Sequence, residues 1–183
     1  FRVACELVRN GAIGKISHVE CSFGGPGVPC DLPEEPMEPG LDWENWVGPG
    51  PMRPYNSVLS PRGVHTHFPM WRLYKEYGGG MVCDWGAHHL DIAQWGLGMD
   101  ESGPVKVEVP ADPKAVEGGI LTYKNGVQVH HKNGFGAHFF GSDGEVKVNR
   151  GKFEFWLGGK QIMPGASTEA AVVHVQKEYL ANS

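Results

Sequence analysis

The chain has 183 residues, 40% hydrophobic and 20% charged, with 16 lysines and arginines against 21 acidic residues for a formal net charge of -5. That length fits one domain able to bury a real core, and the acidic balance lacks the basic footprint of a nucleic-acid binder. No apolar run is long enough to span a bilayer and no signal peptide is visible, which excludes a membrane-spanning protein.

From Phe1 the sequence opens inside an amphipathic helix, with Val3, Ala4, Leu7 and Val8 at helical spacing and Asn10-Gly11 ending the run. Lys15 to Phe23 then alternates. Val19, Cys21 and Phe23 face one way and His18, Glu20 and Ser22 the other, as in a half-buried strand. Gly24 to Gly40 is a proline-glycine loop. Asp42 can cap a short helix that turns Trp43, Trp46 and Val47 inward. Phe68–Tyr77 is expected to form another short helix, and a longer one begins at Asp84 and ends near Gly96 or Gly98.

Beyond that point the period becomes two. Val105, Val107 and Val109 form one expected strand. Ile120–Tyr123 and Val127–His131 flank Lys124-Asn125-Gly126, a hairpin signal, and Ala137–Phe140 and Val146–Val148 flank Ser142-Asp143-Gly144, a second one. Phe153–Leu157 is a further strand, turned by Gly158-Gly159. Ser167 caps a last helix carrying Val172, Val175, Tyr179 and Leu180. The fold class is therefore α+β: an open, mostly antiparallel sheet with helices packed on one face. Gln128, His130 and Lys132 alternate with Val127, Val129 and His131, so the other face is mixed, and a two-fold sheet-to-sheet dimer would cover it. The uncapped start and the abrupt stop lead to the expectation of a single domain over 1–183, cut from something longer at both ends.

The densest chemistry lies in Gly78-Gly79-Gly80-Met81-Val82-Cys83-Asp84-Trp85-Gly86-Ala87-His88-His89-Leu90-Asp91. On a helix Asp84, His88 and Asp91 project together. A carboxylate beside an imidazole can fix its tautomer and suit it to proton transfer near neutral pH. The glycines let backbone approach a ligand or turn sharply into the helix. Just upstream, His65, His67, Trp71, Arg72, Tyr74 and Tyr77 supply aromatic faces and planar donors of the kind that line sugar pockets. The plainer alternative is a helix histidine that is merely a partly buried polar residue.

Cys5, Cys21, Cys30 and Cys83 show no CxxC spacing, so neither a zinc knuckle nor a disulfide framework is implied, and reduced thiols favour a cytoplasmic protein. His65-x-His67, His88-His89 and His130-His131 keep a metal site open as an alternative. Adjacent histidines diverge, however, by about 100° on a helix and to opposite faces on a strand.

Taken together, these residues resemble the C-terminal domain of the Gfo/Idh/MocA oxidoreductase family. The resemblance runs through Ala4 to Lys15 with its Gly11-Ala12-Ile13-Gly14-Lys15 turn, Gly40-Leu41-Asp42-Trp43, Trp46-Val47-Gly48-Pro49, Arg53-Pro54-Tyr55-Asn56, the Gly-Gly-Gly…Asp…His…Asp block and Gly141-Ser142-Asp143-Gly144. It implies an NAD- or NADP-dependent oxidoreductase acting on a carbohydrate or polyol. His88 would be the general acid/base and Asp84 would orient it or bind a neighbouring hydroxyl. Tyr55, His67, Trp71, Arg72, Asp91 and His89 would belong to the substrate site, His89 with no fixed role. The family's N-terminal Rossmann domain, with its glycine fingerprint and its catalytic Glu-Lys-Pro lysine, has no counterpart here. No cofactor-binding or metal-ligating residue is therefore assigned, and the chain is expected to be inactive alone. Two other readings stand beside this one: a stand-alone metal-dependent carbohydrate-active enzyme on the same fold, and a non-catalytic sugar-binding or dimerisation module.

Overall fold

The computed structural model describes residues 1–60 and 69–181. The chain divides into two compact units: Phe1–Phe23 with Gly86–Ser183, and Gly24–Trp85. No helix among the described residues is long and apolar enough to cross a membrane.

The first unit is built on an eight-stranded sheet. In chain order its elements are α1 (Arg2–Arg9), β1 (Ile16–Cys21), α3 (Asp84–Gly96, which starts at the end of the second unit), β2 (Lys106–Glu108), β3 (Ile120–Thr122), β4 (Gln128–His131), β5 (Ala137–Gly141), β6 (Gly144–Asn149), β7 (Lys152–Leu157), β8 (Lys160–Ile162) and α4 (Thr168–Tyr179). The sheet order is β2-β3-β4-β1-β5-β6-β7-β8, and only the β1–β4 pair is parallel. The fold is thus α+β with a mostly antiparallel open sheet. β1 lies between β4 and β5, which explains why those two strands, close in sequence, are not a hairpin. The Asn125-Gly126 signal does close the β3–β4 hairpin: Gly126 sits at φ +85° and Asn125 Oδ1 accepts from the Val127 N–H at 3.0 Å.

Alternation sorts the two faces. Val19, Cys21, Val129, Ala137, Phe139, Val146, Val148 and Phe155 are buried, and α1, α3 and α4 supply Val3, Leu7, Ile92, Ala93, Ala171 and Val175 to the same core. At Gly96 a Cβ would lie 2.5 Å from the Phe139 ring, so α3 can pack on β5 only without a side chain there. Burial pushes the Cys5 and Cys21 thiols up to about 12, which keeps both protonated. Ser167 caps α4 as its sequence suggests, accepting from the Ala170 N–H at 3.2 Å.

The opposite face carries His18, Glu20, Gln128, His130, His138, Phe140, Glu145, Lys147, Glu154 and Trp156 in register across the strands. It is knitted by Lys132–Glu20 at 2.6 Å, His138–Glu145 at 2.9 Å and Lys147–Glu154 at 3.7 Å, and by the His18 ring stacked on Phe140 at 4.3 Å.

Two strand expectations change in detail. Val105 and Val109 fall outside β2, and the three valines are 62–81% exposed. As the outermost strand, β2 has a partner on one side only. β8 was not expected; the tight Gly158-Gly159 turn, with both glycines at positive φ, returns the chain onto β7.

The second unit has little regular structure. It contains α2 (Trp43–Val47), capped by Asp42, whose carboxylate accepts from the Asn45 N–H at 3.1 Å, and a 3-10 turn at Met70–Leu73. The helix expected over Phe68–Tyr77 is reduced to that turn. Tyr74 is extended (φ -98°, ψ 133°), and backbone bonds from Val28 to Leu73 and from Lys75 to Val28 pull the segment into a strand-like bridge. Trp43, Val47, Tyr55 and Leu59 form the unit's core, with Trp43 stacked on Trp46 at 4.6 Å and edge-on to Tyr55 at 5.2 Å.

Candidate active site on helix α3

The triple glycine leads into α3 by packing backbone on backbone. A Cβ on Gly78 would lie 2.5 Å from the Arg72 Cα, and one on Gly80, at φ +80°, would collide with the backbone of Pro26 and Gly27. Gly27 donates to Gly79 O at 3.1 Å and Gly80 to Arg72 O at 2.8 Å. These glycines serve close approach, as their sequence suggests, and the approaching partner is the chain's own backbone.

Asp84 is the first residue of α3, where a carboxylate is favoured by the helix dipole, and its N–H donates to Gly80 O at 3.1 Å. Within the second unit, Arg72 Nε forms an ion pair with Asp84 Oδ2 at 3.3 Å, with the two side chains 26% and 27% exposed. The same guanidinium lies 4.5 Å over the Trp71 ring, and its Nη1 donates to Pro69 O at 3.3 Å. Trp71, Arg72 and Asp84 are therefore coupled in a row. A carboxylate engaged at one oxygen keeps acceptor sites on the other for a hydroxyl.

Along α3, His88 and Asp91 follow Asp84 at helical spacing, and both are exposed. His89 is the opposite case, 2% exposed. Its Nδ1 lies 2.5 Å from Ser22 O and its Nε2 3.3 Å from Arg150 Nη1. A guanidinium only donates, so Nε2 accepts and Nδ1 carries the proton. Burial lowers the His89 pKa, opposed by the Ser22 hydrogen bond and aided by the charges of Arg150 and His88. Thus the two neighbouring histidines have different environments. His89 locks the helix against the sheet unit, and His88 faces solvent.

The other sequence candidates scatter. Tyr55 is 3% exposed in the second unit's core and donates its hydroxyl to Glu38 at 3.2 Å. Trp71 lines an open cleft of about 560 Å³ with Trp46, Pro49, Glu76 and Tyr77. His67 and its neighbour His65 lie outside the described residues. Among the described residues, no three His, Cys, Asp or Glu side chains converge on a metal position. Sequence reasoning missed Arg150, which sits on His89 from a turn without a motif, and Glu76, a charged residue with no spacing signal. It placed Trp46 only in the core; in the structure one side of that ring stacks on Trp43 and the residue also lines the cleft.

No curated protein matches the sequence. Among solved structures, the chain is similar to KijD10, a 3-ketoreductase from Actinomadura kijaniata in complex with NADP and TDP-benzene (17% identity, 95% of this chain and 48% of that one, TM-score 0.44). It is also similar to an oxidoreductase domain protein from Kribbella flavida (18% identity, 93% and 46%, TM-score 0.45) and to an inositol dehydrogenase homolog from Azotobacter vinelandii complexed with NAD+ (14% identity, 94% and 43%, TM-score 0.43). The chain spans about half the length of each. The family model for the oxidoreductase family C-terminal alpha/beta domain of Gfo/Idh/MocA proteins matches residues 13–149, from the turn after α1 to the end of β6. With that match extending across most of the sheet and all of the α3 region, the chain belongs to the Gfo/Idh/MocA oxidoreductase family and carries its C-terminal alpha/beta domain.

Proposed function

We propose that this chain is the substrate-binding and proton-transferring part of an NAD(P)-dependent oxidoreductase that acts at a hydroxyl of a sugar or polyol. The observation that carries the proposal is the contrast along α3. Arg72 anchors Asp84 at the helix start, and one turn later His88 is exposed, whereas His89 is locked away by Ser22 and Arg150. His88 is thus the α3 imidazole able to meet a substrate, and in this reading it takes the hydroxyl proton as the carbon is oxidised and returns it in the reverse direction. Asp84 orients His88 or accepts from a neighbouring hydroxyl. Trp71 and Arg72 offer a ring face and planar donors to the sugar, and Asp91 lies on the same helix face as His88. His67 belongs to the proposed substrate set as well. Tyr55 and His89 are both buried, each within its own unit.

The described residues do not fit a dinucleotide at the start of α3. The one glycine-rich approach to a helix, Gly78 to Gly80, is filled by the backbone of Arg72 and Gly27, so no phosphate cradle is left there. No step through the nicotinamide is assigned to this chain. Self-association through the open sheet face is part of the proposal, supported by half-buried Phe140 and Trp156 among its alternating charges.

The test is His88→Ala in the oxidoreductase that carries this domain. We expect kcat to fall by about 10²–10⁴-fold, the usual contribution of a positioned acid/base, with an unchanged circular dichroism spectrum. An unaltered kcat would remove His88 from the mechanism.

A further inference from the structure

The geometry points to a self-association surface distinct from the open sheet face: the outer edge of β2 pairs antiparallel with the β2 of a second copy of this chain, across a two-fold axis at Val107.

β2 is the outermost strand of its sheet and pairs with β3 through Lys106–Thr122, Val107–Leu121 and Glu108–Ile120. Among the described residues no strand is paired to its outer side. A strand so placed presents alternate backbone N–H and C=O groups to any extended segment that arrives. Val107 is in register with Leu121 and, through it, with the fully buried Val129. It therefore stands on the face of the sheet that packs the helices, yet it is 62% exposed, with Val105 at 67% and Val109 at 81%. The cover that buries Val129 does not reach β2, and three valines at a period of two are left in water. Burying such a stripe is favourable.

The residues around Val107 are their own complement. In an antiparallel pair centred there, 107 meets 107, 106 meets 108 and 105 meets 109. Lys106 of each copy then stands opposite Glu108 of the other, and Val105 opposite Val109. Within one copy Lys106 Nζ lies 2.8 Å from Glu108 Oε1, so the four charges of two copies alternate in sign around the axis. The neighbouring registers are worse. A shift of one residue sets Val107 against Glu108 and turns one sheet over. A shift of two sets Lys106 against Lys106 or Glu108 against Glu108, and like charges directly opposite are destabilising. The other edge strand, β8, carries Lys160, Gln161 and Ile162 and has no such complement. Pro104 and Pro110 bracket the stretch and, lacking an N–H, keep the ladder short. Each copy has one β2, so the two-fold contact closes at two copies. A ladder this short covers less than the roughly 1,200–2,000 Å² of a stable interface, which makes the association weak, with a dissociation constant of roughly 0.1–1 mM.

The test is cross-linking at the axis. In a chain whose exposed Cys83 is replaced (Cys83→Ser), Val107→Cys should oxidise to a covalent dimer, because opposite Cα atoms in an antiparallel pair lie roughly 4.5–5.5 Å apart, within disulfide reach. Val105→Cys and Val109→Cys should each stay monomeric alone and cross-link when mixed. The yield against chain concentration reads the affinity. Added to Val107→Cys, Lys106→Glu should weaken association about tenfold, and Lys106→Glu together with Glu108→Lys should restore it to within about threefold. Trp156→Ala, on the open face, should leave the Val107→Cys cross-link in place, so loss of association through that face does not register as failure at the edge. The proposal is overturned if Val107→Cys cross-links no better than the Cys83→Ser parent, the result expected if a different polypeptide covers this edge. It is also overturned if Val105→Cys alone cross-links as well as Val107→Cys, or if the double charge reversal stays as weak as the single one.

Discussion

The two units of this chain hold themselves together by different means. In the sheet unit, backbone hydrogen bonds close on each other strand by strand, and alternation buries Phe139, Val146 and Phe155. Among the described residues of the loop unit, one five-residue helix and one 3-10 turn leave most backbone groups without a regular partner. Side chains supply the missing bonds. Arg53 donates to the carbonyls of Cys30, Leu32 and Pro54, the Trp43 indole donates to Arg53 O at 2.8 Å, Asn56 donates to Pro33 O at 2.9 Å, and Glu35 and Glu76 accept from the Ser57 and Cys30 N–H groups. The physical lesson is that a polar residue can carry the weight in a loop unit that an apolar one carries in a sheet, because a buried amide left unpaired costs as much as a lost contact.

That contrast can be broken at either end. The largest effect should come from Phe139→Ala, which empties a fully buried position at the centre of the sheet beneath Gly96. We expect a loss of about 3–5 kcal/mol in urea unfolding; a loss under about 1 kcal/mol would mean the helices do not pack there as described. Next comes Arg53→Leu, which keeps bulk but strips the donors from carbonyls in the loop unit. The expected cost is about 1–3 kcal/mol, with hydrogen-exchange protection falling in 24–85 and unchanged in the strands. If the strands lose protection equally, the two units do not differ in the way drawn here.

The smallest effect is a pH dependence confined to the sheet unit. Burial, chiefly, lowers the pKa of His89, His130 and His138; for His138 the hydrogen bond to Glu145 works in the opposite direction. A histidine whose folded pKa lies below its unfolded value, 6.5, binds fewer protons when folded. Stability is then fully present above 6.5 and is lost as pH falls below it. Urea midpoints measured from pH 8 down to 5 should therefore decline on the acid side, and His89→Gln should flatten part of that decline. A midpoint that rises on acidification would contradict the lowered pKa of these rings.

Most of the sheet unit was legible in the sequence, since its strands follow from a period of two and its hairpins β3–β4 and β5–β6 from Asn125-Gly126 and Ser142-Asp143-Gly144. The helix starts at Asp42 and Ser167 were legible for the same kind of reason: a cap is a local event, decided by one side chain and the next turn. Asp84 and His88 were singled out by helical spacing, by the residues around them and by the family resemblance, and α3 does run through both. Spacing set His88 on the helix face of Asp84 and Asp91 and turned His89 about 100° away. What it could not supply was the fate of His89, which is decided by Ser22 and Arg150, residues 67 and 61 positions away. The same holds for β1, which the chain inserts between β4 and β5, and for the cleft of the loop unit, where Trp46, Trp71 and Glu76 meet across a gap that no periodicity encodes. Local patterns set which segments become strands and helices, because propensity and capping act within a few residues. Which side chain ends up buried, paired or open to a ligand depends on partners brought together by long-range packing, and only the tertiary structure decides it.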